Sequence, residues 1–527
     1  MLSRRAIACA TVSRGCALSS VALTLVAGWF ITSPVLAGIS TARQDAFPGY
    51  TLISPLQDVH TYLVDMDGKV VHSWKHDLRP GLSVYLMDDG SLLRCARTRD
   101  GAFRGNGAGG HVQRFAWDGE LLWDYRMADD KVQQHHDIAP LPGGNILVIA
   151  WEAKTAEEAI AAGRDPGIVE TSGILWSGAL FEVRPASPTA GEIVWEWHAW
   201  DHRTQDRDPG LRRFGELASS PGRIDINGDL GREVDEEASA EVSEVEAQMR
   251  ALGYAGDDED DESPGEKSVS DDHRRHRDWL HINAVNYSEE TDLILLSSRK
   301  LSEAWIIDHS TTTREAAGSS GGAHGKGGEL LYRWGNAAAY GHGGPADQRL
   351  FGQHDPRWID SGKAFTVFNN GLGRTPPYSS IDEIELPIGT DGKLALGTSL
   401  PHGPDEARWS YGDFESEHFY ASFISGAERL PNGNTLVCDG PAGHVFEVAR
   451  DGERVWEYTH RRSDGPTPAQ QGARHTQETT HAGDGPHEEP AERMPRRRPP
   501  RDRRNVPASL FRATRVPLNH PGLPEDL

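Results

Sequence analysis

HHDIAPLPGGNILVIAW, residues 135–151, is two short apolar runs divided by a Gly-Gly-Asn turn. Runs of this length, rich in branched residues and broken by a tight turn, read as a β-hairpin. The same phrase returns along the chain as LSVYLMDDGSLLRCAR (82–97), LHINAVNYSEETDLILLSSR (280–299), QHDPRWIDSGKAFTVFNN (353–370) and ASFISGAERLPNGNTLVCD (421–439). Repetition at this scale points to an architecture of stacked units.

A second phrase alternates with the first. It is a turn followed by a strand ending in aromatic residues: DGKVVHSW (67–74), DGELLWDY (118–125), GEIVWEW (191–197), GELLYRW (328–334) and DGERVWEY (451–458), with a degenerate copy, RWSYG, at 408–412. One copy of each phrase supplies about four strands, which is one blade of a β-propeller. Six copies predict an all-β, six-bladed β-propeller. The large Trp and Tyr side chains fill the layers between blades. N- and C-terminal strands, GYTLISP (49–55) and SLFRATRV (509–516), are expected to close the ring. The propeller is assigned to 45–460 plus 505–520. The one helical pattern near it, AKTAEEAIAAG (153–163), belongs to a loop above the ring.

Hydrophobic residues make up 37% of the 527-residue chain, low for one compact core, because two polar segments dilute the strands. The first, 229–272, holds 17 acidic and 3 basic residues, and so carries most of the formal net charge of −25. The second, 461–504, is rich in Pro, Gln, His and Arg. Neither can bury enough apolar surface to offset its ordering entropy, so both are expected to be disordered inserts. A short amphipathic helix around 234–252 fits the pattern of the first. An acidic balance concentrated in one insert argues against nucleic acid as a partner.

Arg4, Arg5 and Arg14 precede an apolar run from Ala17 to Ala37 that ends in Val-Leu-Ala. Residues 1–37 therefore read as a secretory signal peptide, or as an anchor if uncleaved. A membrane is a partner only in the second case. The expected location is the periplasm or outside the cell. Cys95 and Cys438 remain after such a signal, in similar Gly-x-x-Leu-x-Cys contexts. They form either a bridge in an oxidising compartment or two buried strand thiols.

The first phrases, aligned on their turns, carry a pattern of function. His136 and His354 each stand eight residues before a turn glycine, and His281 falls at the matching place. The first and last copies have Leu82 and Ser425 there, so a blade does not need this histidine. Repeat geometry then brings three imidazoles from successive blades to one axial pocket. The alternative is that they serve inter-blade hydrogen bonds. Asn283 shares a strand face with His281. Arg299 ends the outgoing strand of that blade, and a guanidinium beside imidazoles reads as an anion site or a rim ion pair. His135, Asp137 and Asp355 alternate away from their neighbours and read as structural support.

These residues resemble a family. DWLHINAVNY (278–287), LLSSR (295–299), FGQHDPRW (351–358), FNNGLGR (368–374), AWEAKTAEEAIAAGR (150–164), IIDHSTTTREAAG (306–318) and SLFRATRVPLNHPGL (509–523) are together similar to the bacterial arylsulfate sulfotransferases. The resemblance implies transfer of a sulfuryl group from a phenolic sulfate donor to a phenol acceptor, with no nucleotide donor (PAPS), no other cofactor and no metal. It places the nucleophile on His354, further catalytic roles on His281, Asn283 and Arg299, and a last histidine on His136, with His135 the second choice. A neutral imidazole can displace a phenoxide from sulfur and form a sulfohistidine. Trp279 and Trp358 are candidates to hold the aryl ring, or to pack between blades; His135 joins them as a substrate-binding candidate. Some members carry an N-terminal β-domain, for which the residues between Ala37 and Gly49 leave no room. Two other readings compete: a metal-dependent propeller lyase, since three histidines can also bind a divalent ion, and a non-catalytic ligand-binding propeller. Bound metal after purification would mark the first, and no turnover of any aryl sulfate the second.

Overall fold

The computed structural model describes residues 44–230, 244–245, 248–249, 276–390, 393–395, 400, 402–415, 419–461 and 508–527. The N-terminal segment 1–37, residues 462–504 of the second insert and most of the acidic stretch lie outside these residues. Among those described, no helix is long and apolar enough to cross a membrane.

Six four-stranded antiparallel sheets form the blades. Their first strands touch one another in a closed ring and are the inner strands of the propeller. In chain order these are Pro80–Leu86 in the second blade, Val132–Pro140 in the third, Ile282–Ser288 in the fourth, His354–Ile359 in the fifth and Gly426–Arg429 in the sixth. The inner strand of the first blade is Leu510–Pro517, from the C-terminus. It pairs with Gly49–Pro55 near the N-terminus, so both ends of the chain close the ring as the sequence predicts. The helical pattern above the third blade is also present. Ala156–Ala161 starts at a capping box of Thr155 and Glu158.

The repeated aromatic phrase ends on the outermost strand of each blade, and its tryptophan has a second task. The indole N–H of Trp74 donates to the Ala116 carbonyl of the next blade at 3.2 Å. Trp123 does the same to Ala190 (2.9 Å), Trp197 to Gly328 (2.8 Å), Trp334 to Pro404 (2.7 Å) and Trp409 to Arg450 (3.0 Å). Trp456 completes the circle on Met66 of the first blade at 3.0 Å. Each acceptor lies at or just before the approach to its own blade's outer strand. One repeated phrase thus supplies both halves of a blade-to-blade stitch, and burial of the ring is coupled to satisfaction of its polar edge.

Around the axis the inner strands are bulged. Register shifts fall between Pro80 and Val84, Gln134 and Ile138, Ile282 and Ala284, and His354 and Arg357. Non-glycine residues at or beside these bulges take positive φ: Leu82 (105°), His136 (52°), His281 (48°) and Asp355 (50°), with Ser425 (83°) at the matching place in the sixth blade. Each costs about 1–2 kcal/mol. A bulge bends the strand and re-aims a side chain, and that is its use here.

Below the bulges, Arg512 on the C-terminal strand is buried in an ion cluster. Its guanidinium donates to Asp137 at 2.5 and 2.9 Å, to Asp355 at 3.0 Å and to the Tyr85 hydroxyl. Arg357 balances the second carboxylate at 3.0 Å, and Asp137 also accepts the backbone N–H of Val285 at 3.2 Å. Five blades meet at this cluster. Asp137 and Asp355 therefore have the supporting role read from their alternation.

Cys95 and Cys438 are free, buried thiols in separate cores, and burial pushes the Cys95 thiol up to about 12. The acidic segment does not leave the fold at Asp229, whose carboxylate pairs with the buried Arg164 guanidinium. Further along that segment, residues 244–245 and 248–249 are helical, and Val245 and Met249 are buried.

Replacing Arg512 with Met leaves two buried carboxylates short of a counter-charge, and should cost about 3–5 kcal/mol. Trp456→Phe removes one hydrogen bond and should cost about 1 kcal/mol. Chemical denaturation measures both, and an unchanged midpoint for the Arg512 variant would refute the weight placed on the cluster.

Candidate active site

The bulges bring His136, His281 and His354 together at the axis. The rings of His136 and His281 meet edge to face with centroids 4.6 Å apart. Phe511, next to Arg512 on the C-terminal strand, stands 6.4 Å from the rings of both His136 and His354. The Arg299 charge disfavours protonation of all three histidines. Arg299 starts where its N–H donates to the His281 carbonyl at 3.1 Å. A Cβ on Gly352, just before the Gln-His pair, would lie 3.9 Å from its Nε.

His354 is held in one tautomer by its neighbours. Asn370 donates through Nδ2 to the carbonyls of Ala421 (2.6 Å) and Ile424 (2.9 Å). Its Oδ1 must then accept, and it faces His354 Nδ1 at 2.7 Å. Burial, reinforced by Arg299, holds the imidazole well below its ordinary pKa, so it is neutral. The proton is on Nδ1, and Nε2 carries a lone pair. That Nε2 is buried without a hydrogen-bond partner.

His281 is built differently. Its Nδ1 lies 2.7 Å from Asp278 Oδ2, and its backbone N–H donates to Oδ1 at 3.0 Å. Burial works against the Asp278 charge, but His281 outweighs it and the carboxyl is held at about 2. Burial also lowers His281, while Asp278 pulls the other way. A carboxylate-oriented imidazole is the arrangement of a general acid–base.

His136 is kept neutral by burial and by the neighbouring His281. Its ring lies against Gly107, where a Cβ would come within 2.2 Å of the imidazole; φ there is +82° as well, so the position suits glycine. His135 sits behind it. The ring stacks on Trp151 at 4.0 Å, and its Nδ1 meets His136 Nδ1 at 2.7 Å. Burial pushes His135 down to about 3. His136 is thus the ring at the axis and His135 its support.

Asn283 is fully buried beside the cluster, and its Nδ2 donates to the Gln353 carbonyl at 2.9 Å. It braces the residue before His354. The two tryptophans lie elsewhere. Trp279 is buried between the third and fourth blades with its N–H toward the Asp225 carbonyl, and Trp358 packs against the core shared by the fourth and fifth. Of the two readings open for them, inter-blade packing is the one their surroundings match. The axial aromatic is Phe511. It belongs to an apolar group with Leu56, Leu82, Phe423 and Ile424, which come from the first, second and sixth blades or the loops beside them. The axis is thus polar where the third, fourth and fifth blades face it and apolar on the other side.

A model of the arylsulfotransferase (ASST) family matches residues 49–469. The chain belongs to that family. It is 22% identical over 400 residues to the arylsulfate sulfotransferase AssT of Escherichia coli, covering 74% of this chain and 59% of the relative. It therefore spans well under two thirds of that relative's length. Solved structures with a similar arrangement include a Bacteroides caccae protein of unknown function (12% identity, 78% of this chain and 93% of that one, TM-score 0.35). Another is a virginiamycin B lyase from Staphylococcus aureus (9% identity, 80% and 87%, TM-score 0.34).

Three positions in this family member escaped the sequence reading. Asp278 opens the very motif that contains His281, and Asn370 lies in FNNGLGR, but neither repeats from blade to blade. Phe511 sits on a strand read only as ring closure. Among the described residues, no group of three or more His, Cys, Asp or Glu is arranged to hold a metal ion.

Nitrogen-labelled imidazole NMR at neutral pH should show His354 protonated at Nδ1 and bare at Nε2. His354 and His136 should stay neutral as the pH falls through 6.5, the ordinary histidine value. The unfolded chain takes up those protons and the folded one does not, so stability present above pH 6.5 is lost progressively below it. A His354 titration at or above 6.5 would contradict this picture.

Proposed function

We propose that this protein transfers a sulfuryl group from a phenolic sulfate ester to a phenol, without a nucleotide donor, through a sulfohistidine on His354. The observation that carries the proposal is the bare, buried Nε2 of His354. It lies beside Arg299 at the boundary between the polar and apolar halves of the axis. An aryl sulfate has the same division, an anionic head on an apolar ring. Family membership supports the same chemistry.

In the first half-reaction, the Nε2 lone pair attacks sulfur and the bond from sulfur to the aryl oxygen breaks. Protonated His281 gives its proton to the departing phenoxide. Arrival of the sulfate anion favours that protonated form, and Asp278 stabilises it. In the second half-reaction, the acceptor phenol gives its proton to neutral His281. Its oxygen attacks sulfur, the nitrogen–sulfur bond breaks and His354 is restored. Charge on the transferring group resembles that of phosphoryl transfer, and Arg299 stabilises it in a site shielded from water. Asn283, Asn370 and His135 position these groups. Export is part of the proposal, supported by the Arg-flanked apolar segment before Ala37.

Intact mass after mixing with 4-nitrophenyl sulfate should show the gain of one sulfuryl group, lost again on adding a phenol. His354→Ala should abolish that gain; retained labelling would name another nucleophile. Arg299→Ala should slow transfer by about 10²–10³-fold, and an unchanged rate would make it structural.

A further inference from the structure

Val245 and Met249 come from the acidic segment, yet they belong to the axial apolar group with Leu56, Leu82, Phe423, Ile424 and Phe511. Residues 244–245 and 248–249 are helical, and four-residue spacing puts Val245 and Met249 on one face. Glu244 and Gln248 are exposed beside them, while the two apolar side chains are only 4% and 3% accessible. The helix therefore presents an apolar face to the axis and a polar face away from it.

Two observations place that face at the aryl side of the site rather than on remote core. Met249 Sδ accepts from Asn106 Nδ2 at 3.7 Å, and Asn106 precedes Gly107, which lies against the His136 ring. Leu372 packs on the same apolar group, and a Cβ on Gly352 would meet both Leu372 and Arg299. Asp229 pairs with buried Arg164 before the helix, and Asp278 bonds His281 after it.

We infer that Val245 and Met249 form the wall of the aryl pocket that sets which ring sizes the site accepts. The inference rests on the transfer reading above and goes beyond it. This part of the acidic segment is then a specificity element, with Glu244 and Gln248 facing water and Val245 and Met249 facing the aryl ring. Removal of methylene-sized bulk from such a wall changes discrimination between ligands by about tenfold or more.

The test compares kcat/KM for 4-methylumbelliferyl sulfate and 4-nitrophenyl sulfate in the full-length protein. Met249→Ala should raise the ratio of bicyclic to monocyclic donor by about tenfold, with a smaller rise for Val245→Ala. Met249→Trp should lower it, and Met249→Leu should keep the wild-type value. The same ratio in the Ala and Trp variants would overturn the inference, whatever their stability. Failure of the wild type to turn over either donor would defeat the transfer reading instead. Calorimetric Kd values for phenol and 2-naphthol in the same variants then decide the wall, by the same ratio and the same criterion.

Discussion

One buried guanidinium holds the centre of this molecule in place. Arg512 arrives on the last strand of the chain and meets Asp137 from the third blade, Asp355 from the fifth and Tyr85 from the second. Two carboxylates in a dry interior repel each other and resist burial. The C-terminal strand offsets that cost by delivering a cation between them, with Arg357 beside it. Asp137 and Asp355 each directly follow a histidine of the site. The charge that closes the ring thus also sets the height and angle of the imidazoles next to it.

Above that cluster, the proposed transfer makes two opposing demands. A nucleophilic imidazole must be neutral, and an anion site must be positive. Burial meets the first demand by lowering His354 and His136, and Arg299 strengthens it while meeting the second. Burial lowers His281 as well, but there Asp278 pulls back toward protonation. Three histidines equivalent by repeat are therefore made unequal by what lies behind each one: an amide, a carboxylate, or a second histidine.

That difference explains how far the amino-acid sequence could be read. Repetition made the blades, the ring closure and the convergence of His136, His281 and His354 legible, since a shared position in a repeat is a shared position in space. The residues that give each histidine its character do not repeat. Asp278 stands three residues before His281, Asn370 sixteen after His354. Bulges hide these relations, because one extra residue re-aims a strand without changing its hydrophobic pattern. Trp279 and Trp358 showed the opposite problem. Aromatic residues next to functional histidines look alike in sequence whether they face a channel or a neighbouring blade. In the acidic segment the amphipathic pattern around 234–252 was legible, but the apolar group that Val245 and Met249 join was not, because its other members come from distant blades.

The tryptophan stitches have one more implication. They run in a single sense around the ring, each blade donating to the one after it, and the bond from Trp456 to Met66 is of the same kind as the other five. The junction where the chain begins and ends is thus chemically ordinary at its outer edge. What distinguishes it lies at the hub, where one strand brings both Phe511 and Arg512. A gene rearranged to open the circle at another hairpin would preserve every stitch. The hub strand would then be covalently continuous with Gly49–Pro55, the strand it already pairs with.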